Sequence, residues 1–397
     1  MNLPVYFDNH ATTPLDERVF DAMVPYLKDK FGNAASRTHS YGWDAEAAVT
    51  VARKRIAELI HASPDEIVFT SGATESNNLA LKGVAGTYSK GGHIITAATE
   101  HRSVLDTCRW LERRGFDVTI VPVDTQGLVR TADIEKAITP KTILVSIMMA
   151  NNEIGTIAPI SSIGLLCSSR GILLHTDAVQ AVSSLPIDVR TMNIDLLSIS
   201  AHKMYGPKGV GVLYIRRSHP RFEFVPQIEG GGHEQGFRSG TLNVPAIVGF
   251  GKASTITAES LSSEFVRLTH LRDMFISGLC ERIGTVKVNG HRSERLPNNI
   301  NVAIPGISAD TLLMAMKDIA CSSGSACSSA HPEPSHVLRA IGLNESDVRS
   351  SIRIGLGRFT TEEEVLYGIQ RIFESVESLR QRYYRTRPPY SPQKVSL

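Results

Sequence analysis

Between residues 67 and 215 the chain carries seven short apolar runs, at 67–70, 94–96, 118–121, 143–148, 172–175, 196–200 and 210–215. They are rich in Ile, Val and Leu and mostly lack strict apolar–polar alternation, as strands buried on both faces do. Segments such as 106–114 and 159–170 lie between them and are long enough for crossover helices. This repeated pattern predicts an α/β fold: one open, mainly parallel sheet with helices on its faces.

Beyond Pro245 the texture changes. Residues 247–283 have continuous helical spacing, with Phe265, Leu268, Leu271, Phe275 and Leu279 on one stripe. Short strands at 287–288 and 299–302, a helix at 309–318, a Ser/Gly/Ala-rich loop, a strand at 350–354 and a last helix from Thr361 follow. We read a large domain at 15–255 and a smaller α+β domain built from 1–14 and 256–384, with a loop at about 321–333. The proline-containing stretch 385–397 has no apolar periodicity and is expected to stay disordered.

Composition narrows the function. With 42 Lys+Arg against 40 Asp+Glu in 397 residues, the net charge of +2 gives no electrostatic case for nucleic acid or membrane as a main partner. No apolar run approaches the roughly 20 residues of a membrane span, and the N-terminus lacks a basic stretch followed by an apolar one. Five cysteines, an odd number in a long chain, argue against a disulfide framework and for a reducing, cytoplasmic setting.

In open α/β sheets ligands bind beyond the carboxyl ends of the strands. Those ends read Thr70-Ser71-Gly72-Ala73-Thr74-Glu75, Thr99-Glu100-His101, Ala150-Asn151-Asn152-Glu153, His175-Thr176-Asp177-Ala178-Val179-Gln180 and Ser200-Ala201-His202-Lys203. One polar strand end is ordinary, because loops start there. Five, bringing a lysine, an aspartate and a histidine, mark a site. Ser71 to Thr74 read as an ordinary helix cap or as an anion site at a helix N-terminus. No Gly-Lys-Ser/Thr closes them, so a Walker A loop is excluded. Lys203 reads as a surface residue or as a Schiff-base lysine. In the second case Asp177 suits a protonated pyridine nitrogen, and His101 suits ring stacking and proton transfer. No Cys or His pair has zinc spacing, so no metal is expected.

Ten segments together resemble the pyridoxal-phosphate-dependent cysteine desulfurases of the NifS/IscS type, over residues 3 to 380. They are YFDNHATTP (6–14), FGNAASRTHSYG (31–42), FTSGATESNNLA (69–80), TEH (99–101), NNEIG (151–155), HTDAVQ (175–180), SAHKMYGPKG (200–209), GGGHEQGFRSGT (230–241), SSGSACSSA (322–330) and RIGLGRFTTEEE (353–364). The resemblance implies a fold type I enzyme acting as a homodimer with pyridoxal 5′-phosphate. By position, Lys203 would carry the cofactor, His101 would stack on its ring, and Asp177 would bind the ring nitrogen. Gln180 and Asn152 would meet the phenolic oxygen. Ala73, Thr74, Ser200 and His202 would cradle the phosphate, with Thr241 reaching the phosphate of the partner subunit. Arg353, Asn152 and Asn33 would hold the substrate carboxylate.

Cys327 stands apart from the other cysteines. Its neighbours from Ser322 to Ala330 are too small to pack a core and suit a mobile loop, whereas Cys108, Cys167, Cys280 and Cys321 read as structural. The resemblance makes the Cys327 thiolate the nucleophile that takes sulfur from L-cysteine, leaving alanine and a persulfide. Lys203 moves the α-proton and His101 serves as acid or base. The acceptor would be an iron–sulfur scaffold or a thiolation protein, with DNA phosphorothioation a further destination. An aminotransferase, a selenocysteine lyase and a non-catalytic binder on the same fold are the competing readings, and Cys327 argues against the first. His10 is assigned no chemistry at this stage.

Overall fold

The computed structural model of the chain describes residues 3–217, 224–323 and 334–386. Cys327 and the 387–397 part of the tail lie outside them.

A two-residue strand, β1 (Val5–Tyr6), leads into helices α1 (Glu17–Lys28) and α2 (Ser40–Leu59). The apolar runs then form β2 (Ile67–Thr70), β3 (His93–Ala97), β4 (Asp117–Val121), β5 (Thr142–Ser146), β6 (Leu173–Asp177), β7 (Leu196–Ser200) and β8 (Gly211–Ile215). Between them lie α3 (Ala73–Ala85), α4 (Arg102–Glu112), α5 (Thr131–Ala137) and α6 (Ile160–Arg170). All seven expected strands are present, in one sheet of order β2-β8-β7-β6-β5-β3-β4. β8 alone is reversed, pairing antiparallel with β2 and β7. The helix expected at 106–114 is α4, which starts earlier, at Arg102, and β6 runs through Asp177, so the carboxylate sits on the last residue of its strand.

The second half is dominated by α7 (Val244–Ile283), a helix of 40 residues, about 60 Å long at 1.5 Å per residue. Asn243 caps its start by accepting the Ala246 N–H at 3.2 Å, and Gly284 ends it in the left-handed region. Then come β9 (Lys287–Val288), β10 (Asn299–Ala303), α8 (Ala309–Ala315), β11 (Ile319–Ala320) and β12 (Ser322–Ser323). The chain finishes with α9 (His336–Ala340), α10 (Glu345–Arg349), β13 (Ser351–Gly355) and α11 (Glu362–Thr386). α8 stops three residues short of the expected helix because the chain must turn into β11, which pairs parallel with β1. The antiparallel sheet β12-β13-β10-β9 completes this part.

α7 joins two apolar cores. Its first half contributes Ile247, Phe250, Ala253 and Ile256 to the core beneath the large sheet. Its second half contributes Leu268, Leu271, Phe275 and Leu279 to a core that also holds Val5 and Phe7 from the N-terminus. A side chain at Gly251 would put its Cβ 2.6 Å from the Ala52 Cα, so a glycine is required for α2 to lie this close to α7. Nothing in the apolar periodicity had marked α1 and α2.

Candidate active site

The carboxyl ends of β2, β3, β5, β6 and β7 open into one cavity of about 670 Å³. Of the residues singled out in the sequence, Ala73, Thr74, His101, Asn152, Asp177, Gln180, Ser200, His202 and Lys203 line it. The N-terminal segment closes another side with His10, Ala11 and Thr12. Asn33 and Thr241 are exposed and do not line this cavity; the Asn33 carboxamide oxygen accepts the N–H of Ala35 at 2.9 Å.

The β2–α3 turn is shaped for an anion. Gly72, at φ +153° and ψ 176°, adopts a backbone conformation essentially reserved for glycine. It also lies against β8, where a Cβ on Gly211 would come within 2.6 Å of the Gly72 Cα. No described side chain caps α3, so the first N–H groups of the helix face the cavity at its positive end. His202 flanks this end and bonds Thr12 through Nδ1 at 3.1 Å. Burial first, then the charges of Lys203 and Lys208, bring its pKa down to about 4.

Lys203 follows β7, and its Nζ donates to the His10 carbonyl and, at 2.7 Å, to the Ala11 carbonyl. The amine is thereby held at the cavity wall. Opposite, Asp177 accepts from the Val179 N–H at 3.0 Å and from Asn77 Nδ2 at 2.7 Å. Asn77 Nδ2 also donates to Ser103 Oγ at 2.9 Å, and Ser103 lies 2.8 Å from His101 Nδ1. The Ser103 N–H donates to that same Nδ1 at 3.1 Å. Nδ1 is therefore an acceptor, and the neutral ring carries its proton on Nε2. Burial holds the His101 pKa below the usual histidine value, opposed by the carboxylate of Asp177. Asn77 and Ser103 thus tie Asp177 to His101. The sequence reading missed both; the signal available was that Asn77 sits one helical turn after Ala73, on the same face of α3.

Beside Asn152 lies Arg353 of β13, 2% exposed. Its Nη1 donates to the Asn152 carbonyl at 3.1 Å, and its Nη2 to Asp8 Oδ1 at 3.0 Å and Ser322 Oγ at 3.2 Å. Its Nε has no hydrogen-bond partner among the described residues. The turn holding Asn152 is clasped further by Asn299 and Asn301, whose side chains donate to the Glu153 carbonyl, each at 3.1 Å. Ser335 Oγ donates to the Glu153 carboxylate at 2.5 Å, while burial pushes that carboxyl up to about 7. Next to Ser335, His336 Nε2 donates to the carbonyl of Glu100 at 2.9 Å.

Burial pushes the thiols of Cys108, Cys167 and Cys321 up to about 12, which suits inert core residues. No group of three or more possible metal ligands occurs among the described residues.

A parallel sheet whose strand ends gather a held lysine, a buried carboxylate, a histidine and an uncapped helix start defines a pyridoxal-phosphate enzyme of fold type I. Pyridoxal 5′-phosphate fits this donor set: an anion seat at α3, an amine for its aldehyde, and Asp177 for its ring nitrogen. The comparisons agree, and the chain belongs to the class-V aminotransferase family, matching it across residues 5–367. The cysteine desulfurase IscS of Anaeromyxobacter dehalogenans (strain 2CP-C) is 53% identical over 382 residues, covering 96% of this chain and 94% of that protein. A solved NifS-like protein superposes with a TM-score of 0.88 at 40% identity, covering 94% of this chain and 99% of that one. The structure described as SspA in complex with cysteine matches at a TM-score of 0.77 and 40% identity, over 90% and 100% of the two chains.

Proposed function

We propose that the chain is a cysteine desulfurase that converts L-cysteine to L-alanine and takes the sulfur as a persulfide on Cys327. The observation that carries this reading is the convergence of Lys203, Asp177, His101 and the uncapped start of α3 on one cavity. The names of its relatives support cysteine as the substrate. Bound there, pyridoxal 5′-phosphate supplies the carbonyl that condenses with the substrate amine and a sink for the electrons of its Cα–H bond.

The chain's own residues do the rest. The backbone of Ala73 and Thr74, with Ser200 and His202, holds the phosphate. Asp177 faces the ring nitrogen, and Gln180 and Asn152 reach the phenolic oxygen. Arg353, with Asn152, holds the substrate carboxylate, and its unpartnered Nε supports that role; Asn33, outside the cavity, is left without a part in it. Lys203 takes the proton from Cα. His101, with its proton on Nε2, stacks over the ring and can return a proton to the departing alanine. The thiolate of Cys327 forms the new S–S bond as the substrate C–S bond breaks.

Further parts of the reading rest on surface and core. Phe20, Val24 and Leu27 of α1 and Tyr41, Trp43 and Val51 of α2 are large apolar side chains left exposed, as a homodimer contact requires. Thr241, outside its own cavity, suits the phosphate of the partner subunit. The two apolar cores support the division into 15–255 and 1–14 with 256–384. No described helix is long and apolar enough to cross a membrane, and we place the enzyme in the cytoplasm. We infer an iron–sulfur scaffold as the sulfur acceptor. Transfer to a thiolation protein instead is read by the same assay with either acceptor supplied.

The test is turnover of L-cysteine by the purified protein, with alanine and sulfide measured separately. Cys327→Ala should keep the yellow cofactor band and lose sulfide release. Lys203→Ala should lose both the lysine-linked band and turnover. Full sulfide release by Cys327→Ala would overturn the assignment.

A further inference from the structure

His10 lines the cavity yet takes no part in the chemistry above. It is 1% exposed, and its ring packs so closely on β13 that a Cβ on Gly355 would lie 2.8 Å from His10 Cδ2. It meets Gln180 twice. His10 Nδ1 lies 2.9 Å from Gln180 Oε1, and Gln180 Nε2 donates to the His10 carbonyl at 3.0 Å.

The second contact fixes the sense of the first. Turning the Gln180 amide over would set Oε1 against the His10 carbonyl, two acceptors at hydrogen-bond distance. With Nε2 at the carbonyl, Oε1 faces Nδ1, so Nδ1 must carry hydrogen. The ring is neutral. Burial foremost, then the charge of Arg353, with Lys203 adding to it, outweigh the pull of Gln180 and of the Asn298 backbone and bring its pKa to about 3. Nε2 is then an acceptor, and it has no hydrogen-bond partner among the described residues.

We propose that His10 is a positioning residue for Gln180: its Nδ1–H and its carbonyl grip both ends of the amide and leave one Nε2 hydrogen to donate to an acceptor oxygen in the cavity. On the reading given under Proposed function, that oxygen is the phenolic oxygen of the cofactor. The same His10 carbonyl accepts from Lys203 Nζ, so one residue sets the stance of the lysine and of the amide. The assignment goes beyond the family's motif residues, since it gives a purpose to the second residue of Asn9-His10.

The experiment uses the holoenzyme and reads the visible band of the lysine-linked cofactor as a function of pH, with no turnover required. His10→Leu removes the donor, and His10→Asn keeps a donor near the Nδ1 position. The titration midpoint of the band should move by about half a unit or more in His10→Leu, as losing one oriented hydrogen bond implies. It should stay near wild type in His10→Asn. In a Gln180→Leu background the His10→Leu change should have no further effect on the midpoint. Equal midpoints in wild type and His10→Leu, or equal shifts in His10→Leu and His10→Asn, would overturn the proposal. If His10→Leu fails to hold cofactor, His10→Asn decides: a wild-type midpoint supports the proposal and a displaced one overturns it. A wild-type protein that shows no such band after reconstitution would overturn the cofactor reading itself, a result distinct from either of these.

Discussion

Two arginines five residues apart, Arg353, which is buried, and Arg358, whose side chain is 9% exposed, are both paired with carboxylates, yet their surroundings differ. Arg358 donates to Glu264 Oε1 at 2.5 Å and to Asp16 Oδ2 at 3.1 Å, and its guanidinium lies 4.2 Å from the centre of the Tyr205 ring. The Tyr205 hydroxyl accepts the Arg358 backbone N–H at 2.5 Å. No buried polar atom of Arg358, Asp16, Glu264 or Tyr205 is left without a partner, and the region joins α1, α7 and the end of β13. Around Arg353 one carboxylate, one hydroxyl and one carbonyl take up the Nη groups, and Nε is left over in the interior. A buried donor without a partner is costly. It persists here beside a cavity that a carboxylate-bearing ligand can enter. A closed set of partners marks a joint; a leftover N–H marks a place for something else.

The largest break in this comparison should come from Arg358→Leu. It removes the partner of the part-buried Glu264 carboxylate and one of the two arginines on Asp16, which keeps Arg18, and equilibrium unfolding should register a loss of about 2–3 kcal/mol, with kcat per folded molecule nearly unchanged. Arg353→Leu should do the reverse. Catalytic efficiency should fall about 10–100-fold, chiefly through KM, as loss of hydrogen bonds to a charged group implies. Its cost in stability should be smaller than that of Arg358→Leu. If the two variants lose stability and KM in the same proportion, the distinction fails. The smallest effect is acid sensitivity at the joint. Arg18 foremost, with Arg358, holds Asp16 down at about 2. A depressed carboxylate stabilises the fold above its unfolded value near 4, and that contribution drains away as pH falls toward 2. An acid titration of stability should therefore flatten over that window in Asp16→Asn. An unchanged profile would remove Asp16 from the account.

Much of this was legible in the chain. Seven apolar runs became seven strands because a strand buried on both faces must be apolar throughout, a local property. The strand-end residues were legible for a related reason: once the sheet is granted, parallel topology delivers every carboxyl end to one edge. The link from Asp177 to His101 was not legible. It passes through Asn77, a hundred residues from Asp177, whose one local mark, a place one helical turn after Ala73, is matched by its neighbour Asn78 one turn after Thr74. His10 escaped for the same reason, since its meaning lies in Gln180, 170 residues away. α2 escaped because its exposed apolar side chains blur the stripe that marks a helix buried on one face, and α1 because Pro25 sits inside it.

The clasp at the start of α9 has a consequence for anyone who wishes to re-engineer the segment 324–333. Ser322 on one side is tied to Asp8 and Arg353. Ser335 and His336 on the other are tied to Glu153 and Glu100. The two flanks are therefore fixed docking points on the body of the enzyme. A segment of different length or sequence can be grafted between Ser323 and Pro334 with its entry and exit already aligned, which makes this a natural seam for exchanging loops among related enzymes and comparing which acceptors each hybrid serves.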